Sequence, residues 1–265
     1  MASNPLAPLA AAVCLLLAGL ALLRAWRVGA WLGAAGVAIL TGALVARGLQ
    51  AGYWPLTSEY EFALAFALGT ALATLALSPR RRELAVELPA QRPEAMAMIL
   101  AAALVVYARL VLPDHKRAIQ PLIPALDSTW LPLHVGTAAL AYGALALAGA
   151  AGLVWLLWES DRPTAQRLLH QAIATGYPLL TLSMIFGMIW AQAAWGRYWG
   201  WDLKEVWTLI TWLLYTLYWH LHRRPSWQGR GEAWLSVLGV GAVLFTFLGV
   251  SWLARLVGLE SLHLF

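Results

Sequence analysis

Eight long runs of mainly apolar residues limit the folds that this chain can adopt. A helix that crosses a bilayer needs about 20 such residues, and 61% of the chain is hydrophobic whereas 12% is charged. The runs are too long and too uniformly apolar to be the strands of a barrel. The sequence therefore predicts an all-α, polytopic membrane helix bundle of about eight transmembrane helices, at residues 6–24, 29–47, 61–78, 94–112, 131–157, 174–194, 204–222 and 233–256.

The distribution of positive charge predicts how this bundle is oriented. A cleaved signal peptide has positive residues before its apolar stretch. No Lys or Arg precedes the first run here, and Arg24 and Arg27 follow it. Since Lys and Arg favour the inner side of a membrane, we expect both termini on the outer side. Alternating the loops from there places 11 of the 18 Lys and Arg residues inside and 7 outside. The net charge of +5 then reflects topology and contact with the lipid bilayer, and not nucleic-acid binding.

The remaining composition indicates a single domain without thiol chemistry. Residues 79–93 form the longest inner loop, and no stretch is long enough for a soluble domain, so we expect residues 1–265 to form one transmembrane domain. Cys14 is the only cysteine. It cannot form an internal disulfide or a Cys-x-x-Cys pair, and we expect it to pack within the first helix.

The stretch 195–205, with the sequence Trp-Gly-Arg-Tyr-Trp-Gly-Trp-Asp-Leu-Lys-Glu, lies between the sixth and seventh runs. One interpretation is structural, because Trp and Tyr collect at membrane interfaces and the spacing of Asp202 and Glu205 fits a helix capping box. The other is a ligand site, because glycine allows close backbone approach and tryptophan offers a flat apolar face with one N–H donor. Such a loop suits a planar apolar ligand with a polar edge, such as haem. Composition alone leaves both interpretations open.

The region from Gly176 to His220 resembles the cytochrome c assembly family, the haem-handling WWD proteins. The match covers residues 176–182, Trp190-Ala191, 195–205, 207–212 and 215–220, with one departure, because Leu203 stands where the family has proline. The chain most resembles the CcsA/ResC branch. The stretch 52–61 supports that branch through its Gly-Tyr-Trp-Pro-x-x-x-x-Tyr-Glu pattern, within which Ser58 and Glu61 also fit a capping box.

This resemblance implies haem b (iron protoporphyrin IX) as the cofactor and a set of residues that bind it. His134, in a Leu-x-x-His-Val context, and His263 would be the axial ligands on the outer side, although the family's Gly-Leu-His-Ser-Tyr segment is only partly present at residues 258–265. His220 would be a ligand within the membrane, and the alternative is a histidine that is hydrogen-bonded within the bundle. The other contacts fall in the WWD loop, at about 190–205, and are Trp195, Gly196, Arg197, Trp199, Trp201, Asp202 and Glu205.

Spacing along the helices adds further expectations. Asp202 and His220 are 18 residues apart, so they share one helical face about 27 Å apart. Tyr142 follows His134 by eight residues and lies close to the same face. Arg197 and Lys204 either anchor the loop at the membrane interface, or one of them pairs with a haem propionate, for which the planar guanidinium of Arg197 is better suited.

Two further predictions concern residues away from the WWD loop. His115 and His170 are expected to be surface residues of an outer and an inner loop, respectively. Pro178 is expected in the first turn of the sixth helix, where the missing N–H of proline is tolerated.

The function implied by the resemblance is haem binding, transport and presentation for covalent attachment to a Cys-x-x-Cys-His segment of apocytochrome c. The chain would be the membrane subunit of a system II cytochrome c haem lyase (synthase), with a CcsB/ResB-like membrane subunit as its partner. It would reside in the cytoplasmic (inner) membrane, or in the thylakoid membrane of a plastid. Three alternatives remain: a CcmC-type haem carrier, a b-type haem electron-transfer subunit, and a transporter or structural membrane protein without haem.

Overall fold

The computed structural model describes residues 6–78 and 91–257, with side chains up to Leu253. All regular structure in these residues is helical. The helices are α1 (Leu6–Leu22), α2 (Trp26–Ala51), α3 (Glu59–Leu77), α4 (Arg92–Val106), α5 (Asp114–Arg117), α6 (Trp130–Leu157), α7 (Arg162–Trp195), α8 (Leu203–His222), α9 (Arg230–Leu244) and α10 (Val250–Val257). Two π-helical turns, Tyr107–Val111 and Phe245–Gly249, extend α4 and join α9 to α10.

Six of the described helical segments are long and apolar enough to cross a membrane. They are Trp26–Ala51, Glu59–Leu77, Arg92–Val111, Trp130–Leu157, Glu159–Trp195 and Arg230–Leu253. The predicted all-α bundle is confirmed in this form. Helix α1 is apolar but has only 17 residues, and α8 has 20 residues with more polar and aromatic side chains. The count of eight spans and the outer position of both termini therefore stay predictions.

The predicted start of the sixth helix, residue 174, is wrong, because α7 already begins at Arg162. Pro178 consequently lies inside the helix and not in its first turn. The added segment is amphipathic and escaped a search for continuous apolar runs. Its buried positions recur at helical spacing, and they are Ala165, Leu168, Leu169, Ala172 and Ile173.

Helix α6 occupies the centre of the bundle, and its middle is built from small residues. Nearly every residue from 138 to 152 is buried. A Cβ atom at Gly143 would lie 2.2 Å from the backbone of Gly69 in α3, and one at Gly69 would lie 2.5 Å from the carbonyl of Ala139. The backbones of α3 and α6 are therefore in direct contact, as small residues permit in membrane bundles.

The stretch 52–61 fastens the loop that leads into α6. The Arg47 guanidinium forms a buried ion pair with Glu61 at 2.6 Å and also donates to two backbone carbonyls within residues 112–129. The Tyr53 hydroxyl donates to a third carbonyl of that loop at 2.8 Å. The capping box predicted for Ser58 and Glu61 is confirmed at the start of α3. Through these contacts, the 52–61 stretch helps to hold the loop that leads into α6.

Candidate functional site

Local backbone contacts shape the WWD loop between α7 and α8. Gly196 ends α7 in the left-handed conformation (φ 70°), which glycine adopts without steric strain. Asp202 caps α8 by accepting from the Lys204 N–H at 2.8 Å. Glu205 accepts from the N–H groups of Gly200 at 2.8 Å and Asp202 at 3.1 Å. The predicted capping box is confirmed, and both carboxylates are engaged with the backbone of the loop.

The aromatic residues of the loop fall into an exposed and a half-buried group. Trp201 and Tyr198 are exposed by 71% and 56%, whereas Trp195 and Trp199 are half-buried. Within the described part of the chain, the indole Nε1 atoms of Trp195 and Trp199 are buried without a hydrogen-bond partner. A buried donor without a partner costs about 1–3 kcal/mol, so these two N–H groups suit a polar ligand atom at the loop.

His134 on α6 is held in one orientation by α7. Its Nδ1 atom lies 2.8 Å from the backbone carbonyl of Ser183. A carbonyl only accepts, so Nδ1 carries the proton and the lone pair resides on Nε2. The ring also stacks on Trp190, with centroids 6.1 Å apart and planes 7° apart. Glycine at 187 makes room, because a Cβ there would lie 2.7 Å from Nδ1.

A cavity lies between this imidazole and the WWD loop. Its walls come from α3, α6, α7, the start of α8 and the π-turn after α9, and they are mainly apolar. His134 and Tyr142 both line it, which confirms that they share a face of α6. Of the WWD loop, the lining includes Tyr198, Trp199 and Glu205. Five predicted contact residues lie outside the lining: Trp195, Gly196, Arg197, Trp201 and Asp202.

Charged side chains gather at one edge of the cavity. Glu59 and Lys204 both belong to its lining. Glu59 accepts from the Tyr107 hydroxyl and from Lys116 Nζ, the latter at 2.5 Å, and Lys204 interacts electrostatically with Glu59. The cavity thus pairs apolar walls and an imidazole with an edge that carries Lys204 and Glu59, and Lys116 binds Glu59 from outside the lining.

The other predicted site residues lie apart from this cavity. Arg197 is exposed and packs over Gly200, whose ideal Cβ position is 3.1 Å from the guanidinium Nε. His220 is near the opposite end of α8, and its exposed side chain contacts the Thr216 carbonyl through Nδ1 at 2.8 Å. The helix that separates Asp202 from His220 is continuous, as predicted. His263 lies outside the described residues.

The prediction that His170 is a loop surface residue is wrong. His170 lies within α7 and contacts the Tyr218 hydroxyl through Nδ1 at 3.1 Å. Its ring stacks on His222 with centroids 4.4 Å apart, and His222 binds the buried Glu232 of α9. Tyr218 and His222 are about 50 residues away from His170 in sequence, and Glu232 lies on a third helix. Residues next to His170 in the sequence therefore could not reveal these contacts. His115 is exposed, as predicted.

Sequence reasoning missed the residues that hold the imidazole in place. Ser183, Gly187 and Trp190 all face His134. They are spaced at i, i+4 and i+7, which places them on one face of α7. That spacing was visible in the sequence, but nothing in the sequence said that this face meets His134.

Comparison with known proteins places the chain in a family. The sequence model described as "Cytochrome C assembly protein" matches residues 56–257, a range that contains the cavity, the WWD loop and α8. The chain belongs to the cytochrome c assembly family. The family match covers all the helices that build the cavity.

Curated relatives match nearly the whole chain. Cytochrome c biogenesis protein CcsA of Synechococcus elongatus is 33% identical over an alignment length of 294. The alignment covers 87% of this chain and 86% of that protein. CcsA of another Synechococcus strain is 33% identical over 290 residues, covering 82% and 80%. CcsA of Guillardia theta is 30% identical over 252 residues, covering 84% and 81%. The assignment to the CcsA branch is thus confirmed, and with it a role in cytochrome c biogenesis in a membrane.

Proposed function

We propose that this chain binds haem b in the cavity beneath the WWD loop and presents it for attachment to a Cys-x-x-Cys-His segment of apocytochrome c. The observation that carries the proposal is the state of His134. Its Nδ1–H donates a hydrogen bond to the backbone carbonyl of Ser183, and its ring lines the cavity. A neutral imidazole with its lone pair on Nε2 is a common axial ligand of haem iron.

The other lining residues fit the remaining parts of a haem. The cavity walls are mainly apolar and include the aromatic faces of Trp190 and Trp199, which suit the macrocycle. Lys204 supplies a cation at the charged edge, where a propionate would gain a charge-assisted hydrogen bond. The buried indole N–H of Trp199 is a further donor in the lining, and that of Trp195 is a donor of the same loop outside the lining. Trp201, which is exposed outside the lining, would contact the macrocycle from the loop. His263 would be the second residue to hold the iron.

In this account the protein contributes positioning. When bound, haem supplies the vinyl groups to which cysteine thiols add and an iron that accepts axial ligands. His134 would hold the iron, and its own orientation is set by Ser183 and Trp190. The loop, shaped by Asp202 and Glu205, would orient the ring for the apocytochrome. Orientation of this kind lowers the barrier by reducing the entropy lost on reaction.

A second site would use His220 and a CcsB/ResB-like partner subunit. Leu213, Leu217 and His220 are all exposed along one face of α8, at the i, i+4 and i+7 positions that form a stripe. An ionisable side chain on a membrane-facing stripe favours contact with another protein over contact with lipid. We infer that the partner covers this stripe and supplies the opposing ligand. The complex would reside in the cytoplasmic membrane. This chain would contribute eight spans and would have both termini on the outer side.

Two of the alternative functions find less support. Stacked bis-histidine haems of an electron-transfer subunit need histidines that face each other within the bundle. Among the described residues that line the cavity, His134 is the one histidine. The stacked pair His170 and His222 lies outside this lining, and His222 is bound to Glu232. His220 lies near the other end of α8. A six-helix CcmC-type carrier fits less well, because the relatives named CcsA match most of this chain.

Purification tests the proposal. The chain should be produced with its CcsB/ResB-like partner, extracted in mild detergent and examined by absorption spectroscopy, with extraction into pyridine to identify haem b. We expect a Soret band and non-covalently bound haem b. A purified, folded complex without a haem band would contradict the proposal and favour a membrane protein whose aromatic loop serves only as an interfacial belt.

A further inference from the structure

A second concave site lies at the end of the bundle opposite the WWD loop. It is formed where α6 ends and where α7 and α9 begin, and we call it the basic groove. Its lining consists of four aliphatic residues, two tryptophans and two arginines: Leu153, Leu156, Leu157, Val237, Trp155, Trp234, Arg162 and Arg230. None of these residues takes part in the proposed haem sites.

The wall of the basic groove is fixed by tertiary contacts. The Arg162 guanidinium lies 4.6 Å from the centroid of the Trp155 ring, within cation–π range, and Arg162 Nε donates to the Trp155 carbonyl at 3.3 Å. The loop before α9 closes over the same indole, since a Cβ at Gly229 would lie 2.7 Å from Trp155 Cζ2. Gly229 also has a positive φ of 78°, a conformation that favours glycine. Trp155 therefore joins α6, α7 and α9.

The charge of the basic groove is positive. Arg162 pairs with Glu159 at 3.0 Å, but this carboxylate is 83% exposed, and exposed pairs contribute little. Arginine has five N–H donors, so the guanidinium retains capacity for a second acceptor. Arg230 is exposed, and no carboxylate in the described ranges forms an ion pair with it. Glu232 lies two residues away but is buried and bound to His222 and Gln166.

The vertical order of the lining matches the layers of a lipid. The two arginines lie at the first residues of α7 and α9, at the end of the bundle. Trp234 is half-exposed one turn into α9, and indoles near the ends of membrane helices commonly meet lipid headgroups. Leu153 and Val237 lie about one turn further into the bundle. Along α9, a cation at Arg230, an indole at Trp234 and an aliphatic side chain at Val237 thus follow one another.

We propose that the basic groove binds one anionic phospholipid. Its headgroup phosphate lies between Arg162 and Arg230, and one acyl chain runs along Leu153 and Val237. Planar guanidinium groups hold phosphate oxygens through paired hydrogen bonds, and basic pockets between transmembrane helices bind such headgroups. A free phosphate ion would leave the aliphatic wall uncovered, so the lipid is the source of the phosphate.

Native mass spectrometry of the purified full-length chain tests this proposal. Phosphatidylglycerol and phosphatidylcholine with identical acyl chains are added at equal concentrations. We expect phosphatidylglycerol to be retained preferentially. The double variant Arg162→Gln/Arg230→Gln should bind it more weakly, by about fivefold for each arginine. The matched control Arg167→Gln/Arg223→Gln removes two charges from exposed positions near the same end of the bundle that do not line the groove, and it should bind as the wild type does.

Two further measurements separate the lipid from its headgroup. Val237→Trp fills the aliphatic wall and leaves both arginines in place, so it should also lose phosphatidylglycerol. Soluble glycerol phosphate should not displace the lipid from the wild type. Equal retention of the two lipids, equal loss in the control variant, or displacement by glycerol phosphate would each overturn the proposal.

Discussion

The Nδ1 atom of His134 donates a hydrogen bond of 2.8 Å to the backbone carbonyl of Ser183, and this bond joins α6 to α7 at the cavity. A second bond runs in the other direction, because the Ser183 hydroxyl donates to the His134 carbonyl at 3.1 Å. The orientation of the imidazole is therefore a property of the helix pair. If His134 holds haem iron as proposed, variants that disturb this helix pair should alter haem binding without changing His134 itself.

Gly187→Ala is the smallest such disturbance. The added Cβ would lie 2.7 Å from His134 Nδ1, so the imidazole must move away from its preferred rotamer. We expect haem affinity to fall roughly two- to tenfold, since leaving a rotamer costs about 0.5–1.5 kcal/mol. Haem titration measures the effect. Gly241→Ala is the control, because nothing lies within 4 Å of a Cβ at that helical position, and an equal loss there would show that His134 is not involved.

Lys204 and Arg197 are the two candidate partners for a propionate of the proposed haem. The sequence favours Arg197 as the propionate partner, because its planar guanidinium matches the geometry of a carboxylate. This contact stays a prediction. Lys204, however, lines the cavity, whereas Arg197 is exposed outside the lining. We therefore expect Lys204→Met to weaken haem binding by about 1–3 kcal/mol and Arg197→Met to weaken it less.

Haem with esterified propionates tests the same assignment, because esterification removes the charge that either residue would bind. Wild type and Lys204→Met should then bind the esterified haem equally. If Arg197→Met shows the larger loss with natural haem, and esterification abolishes that loss, the propionate partner is Arg197 and not Lys204.

His220 should bind haem only when the partner subunit is present. Its side chain is exposed on the isolated chain, and haem in a membrane site needs a second ligand that we assign to the partner. Haem per protein should rise when the CcsB/ResB-like subunit is co-produced, and His220→Ala should abolish that increase. Full occupancy of two sites in the isolated chain would show that both ligands are internal.

Arg47→Met should destabilise the protein without changing its haem spectrum. It leaves the buried Glu61 carboxylate without its ion-pair partner, and breaking a buried pair costs about 3–5 kcal/mol. The control variant is Asp114→Asn, which breaks the ion pair between Asp114 and Arg117. The Asp114 carboxylate is 95% exposed, so this change should lower the free energy of unfolding by less than about 1 kcal/mol. Thermal unfolding in detergent would contradict this account if both variants melted together.

Much of the fold could be predicted because it depends on local patterns. Apolar runs located the transmembrane helices, and the two capping boxes, at Ser58 and Asp202, depend on residues within a few positions. The start of α7 could not be found this way, because residues 162–173 bury only one face. A search for continuous hydrophobicity does not detect an amphipathic extension.

Contacts between distant residues explain what the sequence did not reveal. The environment of His170 comes from Tyr218 and His222, about 50 residues away on α8. The loop before α6 is held by Arg47 through carbonyls about 70 residues away. The WWD loop and His134 were predicted as functional residues, but the cavity between them is formed by the packing of α3, α6, α7, α8 and the π-turn after α9, which no local pattern reveals.

The most direct test of the central claim is haem binding by His134→Ala with and without imidazole. His263→Ala, at a position beyond the described residues, is examined in parallel, and His115→Ala is the control, since His115 is exposed and does not line the cavity. We predict that His134→Ala and His263→Ala each lose haem from the outer site, that added imidazole restores it by occupying the vacated axial position, and that His115→Ala keeps the wild-type spectrum. Unchanged Soret bands in both His134→Ala and His263→Ala would contradict the account.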